Sequence, residues 1–120
     1  GFRLDFSSSS TPQATKSDYI ESMVAEVKRE FKLPFKSDDT TTMVNVTAEN
    51  NAIRYHYILS GADTSSLSNQ AIKEFLLPGV CGDKDIQQDI LQKGINMEYS
   101  YNVEGTSIAY FVIISKSDCI

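Results

Sequence analysis

The chain has 120 residues, 41% of them apolar, with 11 Lys and Arg against 16 Asp and Glu, two Cys, one His and no Trp. That length suits one domain burying roughly 65% of its unfolded surface, enough for an ordinary core without a structural metal, and 10% aromatic residues separate it from disordered sequences. A net charge of −5 without a basic run argues against nucleic acid or an anionic membrane surface as a partner; no apolar stretch is long enough to span a bilayer, and no signal-peptide core is present.

The excess negative charge is uneven. Residues 1–60 hold 7 basic and 8 acidic groups, residues 61–120 hold 4 and 8. Residues 1–16, with Ser7–Ser10 followed by Thr11-Pro12, show no apolar period and read as a flexible tether to something upstream, leaving 17–120 as a single domain. A first helix is expected from a cap at Ser17 or Asp18, because Ile20, Met23, Val24, Val27 and Phe31 recur at helical spacing and the charges run acidic to basic along it. Leu33-Pro34 stops it.

From Thr40 the apolar period becomes two. Thr42, Val44, Val46 and Ala48 fall on one side and Met43, Asn45 and Thr47 on the other; after an Asn50-Asn51 turn, Ile53, Tyr55, Tyr57 and Leu59 alternate with Arg54, His56 and Ile58. This pattern predicts a β-hairpin with one apolar face. Beyond a Ser/Thr/Asp loop, Leu67, Ala71, Ile72, Phe75 and Leu76 predict a helix broken at Pro78-Gly79, and a short second helix runs from a cap at Asp83 to Gly94, which suits a left-handed C-terminal position. Ile95–Val103 and Thr106–Lys116 then make a second hairpin around Glu104-Gly105. Its last strand is apolar at Ala109, Phe111 and Ile113 as well as at Ile108, Tyr110, Val112 and Ile114, the pattern of a central strand covered on both faces. The expected class is α+β: an antiparallel sheet of four or five strands packed with an N-terminal helix and a central helix pair.

Cys81 lies between the central helices and Cys119 is the penultimate residue. Joined, they would close a loop of about forty residues, stabilising the fold by about 4 kcal/mol in the chain-entropy picture, and would pin an end that otherwise frays. Two unrelated buried thiols are the alternative. A Cys so near the end of the chain is poor core filling, which favours the bridge and, with it, an oxidising compartment. Two Cys and one His have no ligand spacing, so neither metal nor cofactor is expected.

No catalytic residue stands out. Any hydroxyl or thiol nucleophile would need His56 as its base, and His56 sits on the polar side of its strand, where exposure is expected. Asp38-Asp39 reads as a capped turn more readily than a carboxylate pair, and Asn45-Val46-Thr47 matches the glycosylation sequon by no more than chance. Tyr55, Tyr57, Tyr99 and Tyr101, with Tyr110, fall on alternate strand positions. They form either a core layer with hydroxyls at its rim or, with Phe111, an open aromatic groove for a partner peptide.

The run VCGDKDIQQDILQKGINMEYSYNVEGTSIAYFVIISKSDC, with its Cys81…Gly94-Ile95…Cys119 frame and Leu33-Pro34 ahead of the first hairpin, resembles AspS-type pilotins of type II secretion and related small exported proteins of Gram-negative bacteria. The resemblance covers about residues 33–119. It implies a non-enzymatic, disulfide-bonded periplasmic module that binds a peptide or helix of a secretion-system partner such as a secretin C-terminal segment. It also implies tethering to the outer membrane through an N-terminal lipid; residues 1–16 contain no Cys to carry one. The alternative is a periplasmic immunity or inhibitor protein presenting Asp83, Asp85 and Asp89 as an acidic loop to the basic cleft of a toxin or cell-wall enzyme.

Overall fold

A computed structural model describes residues 15–120. The expected tether therefore lies outside the described residues except at its last two positions, which open the first helix. Helix α1 spans Lys16–Glu30 and is capped at Thr15, two to three residues earlier than expected. Asp18 N–H donates to Thr15 Oγ1 (3.0 Å) and Thr15 N–H to Asp18 Oδ2 (3.2 Å), a reciprocal box that satisfies two otherwise unpartnered donors. Ile20 carries its buried stripe.

Five strands follow the order β1 (Phe35–Lys36), β2 (Thr41–Glu49), β3 (Ala52–Leu59), β4 (Asn96–Val103) and β5 (Ala109–Ile114), and they lie in the sheet in that same order. Both expected hairpins are present. Asn51 takes a positive φ of 56° in the first turn and Gly105 one of 77° in the second, which is what tight hairpin turns require. The two hairpins are joined by a parallel pairing of β3 with β4, in register from Ala52 opposite Asn96 to Leu59 opposite Val103. The sheet is thus mostly antiparallel with one parallel pair at its centre.

Three sequence expectations are corrected. A register shift between Met43 and Asn45 puts an extra residue, Val44, into β2. Met43, Val46 and Ala48 therefore share the side of Tyr57, Tyr55 and Ile53, and Val44 is exposed; strict alternation had put Val44 with Val46. The fully apolar β5 is an edge strand whose Ala109, Phe111 and Ile113 are exposed, since only one of its faces is covered. Helix α2 spans Asn69–Cys81 and runs through Pro78. Proline removes one backbone donor near the helix end, where buried Val80 keeps the final turn in place.

The chain between β3 and β4 holds α2, α3 (Lys84–Asp89) and a 3-10 turn at Leu91–Lys93. Asp83 caps α3 by accepting from Asp85 and Ile86 N–H (2.9 and 3.2 Å), and Gly94 closes the segment at φ 77°. Ile20, Ile53, Leu91, Ile95, Met97 and Ile114 are the largest wholly buried side chains, and they fill the layer between the helices and one sheet face. The opposite face carries Arg54, His56, Glu98, Ser100 and Phe111. The sheet's edges are blunted by side chains: Val46 N–H donates to Asn45 Oδ1 (2.9 Å) on β2, and Phe111 N–H donates to Asn69 Oδ1 (3.0 Å) across from α2.

Cys81 at the end of α2 is bonded to Cys119 in the C-terminal 3-10 turn, Lys116–Cys119. Lys73 Nζ adds an ion pair to Asp118 Oδ1 at 3.2 Å, so two links hold the C-terminus to one helix. For a bridge spanning 38 residues, replacing both Cys by Ser should lower the unfolding free energy by about 2 to 4 kcal/mol, measured by urea denaturation of oxidised protein and of the double variant.

Candidate functional site

The parallel register sets Tyr55 beside Tyr99 and Tyr57 beside Tyr101 on the helix-covered face. The four rings are nearly parallel: centroids are 5.5 Å apart for Tyr55 and Tyr99, 6.4 Å for Tyr57 and Tyr99, and 4.9 Å for Tyr57 and Tyr101, with interplanar angles of 14–18°. Tyr99 and Tyr101 are buried, whereas Tyr55 and Tyr57 are half-buried. Tyr110, opposite Tyr101 on β5, packs against the same core. The ladder is thus a core layer that reaches the surface along the β3 side. Burial pushes the Tyr57 and Tyr99 phenols far up, their neighbours' hydroxyls adding to it, and burial followed by the Asp38 charge pushes Tyr101 up to about 12.

Two clefts open onto this ladder. The larger, about 600 Å³, lies between α2 and the 37–41 loop; Tyr57, Tyr101 and Leu59 floor it, and Leu67, Leu76 and Phe75 wall it. Phe75 is 82% exposed. Asp38 lines the same cleft, its Oδ1 accepting from Thr40 and Thr41 N–H (2.9 and 2.8 Å), bonds that hold its carboxyl below the usual range; it is a turn cap, as its sequence context suggested. The second cleft, about 340 Å³, runs between α1 and α3 over Tyr55 and Ile53. Its rim carries Glu26, Glu30, Asp85 and Asp89.

The residues singled out from the sequence therefore separate into groups. Tyr57 and Tyr101 floor one cleft, Tyr55 joins Asp85 and Asp89 in the other, and Asp83 is occupied in capping α3. Phe111 lies on the opposite sheet face, where Arg54 Cζ sits 5.1 Å from its ring centre, so it shares no groove with the tyrosines. Phe75 is the wall residue that sequence reasoning passed over, because it sits in an apolar helical stripe. No sequence signal singles it out: at 100° per residue Phe75 falls inside the arc set by Ala71, Ile72 and Leu76, and its exposure follows from where α2 sits on the sheet.

His56 is half-buried on the open face and not free in solvent as expected. Thr47 Oγ1 donates to Glu49 Oε2 (2.7 Å) and accepts from His56 Nε2–H (2.7 Å). Thr47 thus has no proton directed at His56, and Cys81 is tied in the disulfide, so these groups form no nucleophile and base pair. Next to them Arg54 Nε bonds Glu98 Oε1 at 2.8 Å across the parallel strands, and Glu98 is only 8% exposed. Among the described residues no three His, Cys, Asp or Glu are placed to hold a metal, and no helix is long and apolar enough to cross a membrane.

No protein-family model and no curated protein sequence matches the chain. Solved structures do. A protein of Pseudomonas aeruginosa classed as secreted superposes with a TM-score of 0.72 at 17% identity, covering 91% of this chain and all of that one. The type 2 secretion pilotin EpsS of Vibrio vulnificus gives 0.65 at 12% identity, with 88% of each chain covered. The type II secretion pilotin AspS of Vibrio cholerae gives 0.67 at 13%, over 87% of this chain and 92% of its own. The fold is thus the one these pilotins have.

Two pH effects follow. Folding holds the ladder phenols neutral, so their contribution to stability is complete below the ordinary phenol value of about 10 and is lost as pH rises above it. Phenolate absorbance should rise in two steps, the second coinciding with loss of near-ultraviolet circular dichroism. Burial, then Arg54, lowers the His56 pKa against the opposing pull of Glu49. Its contribution is complete above about 6.5 and falls as pH drops below that; in His56→Gln, urea midpoints between pH 7 and 5 should change less than in the parent.

Proposed function

We propose that this protein is a pilotin-type adaptor: a non-catalytic module acting outside the cytoplasm that seats a helical segment of a secretion-channel subunit, such as a secretin C-terminal segment, in the cleft between α2 and the 37–41 loop. Phe75 carries this reading. A Phe left 82% exposed on the wall of an apolar cleft, above a rigid tyrosine floor, is the anchor geometry that helix-in-groove recognition uses. Stacked tyrosines add large contact area with little side-chain freedom to lose on binding.

The fold shared with EpsS and AspS supports the assignment to secretion, and the Cys81–Cys119 bond supports an oxidising compartment such as the periplasm. Tethering to the outer membrane belongs to the same reading. A second reading has its own support in the acidic rim of the α1–α3 cleft: Glu26, Glu30, Asp85 and Asp89 would suit an inhibitor seated on a basic enzyme cleft.

Fluorescence anisotropy against a panel of secretin C-terminal peptides tests the two together. Binding should weaken by about tenfold or more in Phe75→Ser and in Tyr57→Ala, and should barely change in Asp85→Asn/Asp89→Asn. Absence of binding to every peptide at tens of micromolar would refute the pilotin-type reading, and sensitivity to the acidic pair alone would transfer it to the inhibitor.

A further inference from the structure

The cleft between α2 and the 37–41 loop has apolar walls and charge of one sign only. Asp38 and Asp63 are the charged residues that line it, and no Lys, Arg or His joins them. Both are exposed, so they stand at its rim. Each commits one carboxylate oxygen to its own turn: Asp38 Oδ1 accepts from Thr40 and Thr41 N–H and from the Thr40 hydroxyl, and Asp63 Oδ1 accepts from Ser65 N–H at 3.0 Å. Among the described residues the second oxygen of each has no hydrogen-bond or ion-pair partner. The backbone bonds hold both carboxyls below the usual range, which keeps them anionic at any ordinary pH.

Two solvated carboxylates on an acidic chain do not by themselves make a site. The floor supplies a second feature. Tyr101 lines this cleft and is only 8% exposed. Among the described residues Tyr19 has the one tyrosine hydroxyl that is hydrogen-bonded within the protein, to Asp89 O, so the Tyr101 hydroxyl has no protein partner. Tyr99 is as deeply buried and also unpaired, but it lines neither cleft. Buried polar groups nearly always find a partner, and a phenol at the floor of a cleft can take one from whatever occupies it. The charge of Asp38 is felt at the Tyr101 phenol, second only to burial in raising its pKa, so hydroxyl and carboxylate lie within one another's field.

We propose that the helical segment seated in this cleft carries a Lys or Arg beside its apolar anchors, its cationic head donating to the Tyr101 hydroxyl and to the free oxygen of Asp38, with Asp63 adding to the attraction. This rests on the adaptor reading and adds the chemistry of the partner. A long aliphatic stem that ends in a cation suits a slot with apolar walls and an anionic rim. A wholly apolar segment would cover the Tyr101 hydroxyl without pairing it, and an acidic one would meet two like charges.

The probes are the secretin C-terminal peptides that bind in the anisotropy assay, remade with each Lys and Arg changed singly to Gln. One such change should weaken binding by about fivefold or more. Asp38→Asn/Asp63→Asn should weaken the parent peptide by a similar factor and leave that Gln peptide little affected, because both changes remove the same contact. Asn keeps an oxygen that can accept from Thr40 and Thr41 N–H, so the turn is preserved. Asp85→Asn/Asp89→Asn takes the same charge from the other cleft and should have little effect, which separates a local contact from the general attraction of an acidic protein for cations. Tyr101→Phe deletes only the hydroxyl. It should weaken the parent peptide and spare the Gln peptide without lowering the urea midpoint, a combination that a purely structural hydroxyl would not give. A peptide that binds in a Phe75-dependent way yet has no Lys or Arg, or binds as well in every Gln version, would overturn this inference and leave the adaptor reading standing. Equal losses in the two aspartate pairs would overturn it as well, and absence of binding to every peptide would overturn both.

Discussion

The parallel, in-register pairing of β3 with β4 is the constraint on which the rest of the molecule depends. Parallel neighbours cannot be joined by a tight turn, so residues 60–95 must cross a sheet face, and α2 and α3 are what that crossing contains. Together with α1 they cover one face; among the described residues no helix covers the other. In-register pairing also puts like opposite like at Tyr55–Tyr99 and Tyr57–Tyr101, and opposite charges side by side at Arg54 and Glu98. The aromatic ladder on one face and the half-buried ion pair on the other thus have a common origin. Arg54 is shared between Glu98 and the Phe111 ring, so the nearly buried Glu98 carboxylate is paired with a cation that the ring also attracts.

The ladder is a packing layer and, in the proposed function, also the floor of the recognition cleft. A floor made of core side chains cannot rearrange cheaply, since Tyr99 and Tyr101 are buried members of the core cluster. Variation in what the clefts accept must then come from their walls: Phe75 and Leu76 on α2, and the acidic rim between α1 and α3. Loops and helix surfaces can change without disturbing the sheet, and this allows proteins with 12–17% identity to share the fold.

Much of this was legible in the sequence. Helical spacing, two hairpin turns with Asn and Gly at the positions that need left-handed backbone and the Asp83 cap each rest on local chemistry, which a sequence states directly; the Cys pair, 38 residues apart, was legible because the chain has no other Cys. What was hidden depends on distant pairing. The bulge at Val44 is an added residue that breaks a period of two without any Gly or Pro to announce it. β5 looks like a central strand because Phe111 and Ile113 are apolar, yet it lies at an edge. The separation of Phe111 from the tyrosines follows from alternation alone: Tyr110 and Phe111 are adjacent and must point to opposite faces. Phe75 was visible as an apolar helical position; its exposure depends on where α2 lies.

The two asparagine side chains at the sheet margins have a consequence for how any partner must arrive. With Val46 N–H and Phe111 N–H already bonded to Asn45 and Asn69, neither flank offers a clean ladder of backbone donors to an incoming strand. Strand addition reads backbone, is tolerant of sequence, and shades into self-association. Interrupting it favours recognition through side chains of the right shape, and makes it harder for crowded copies of the chain to template one another into fibrils.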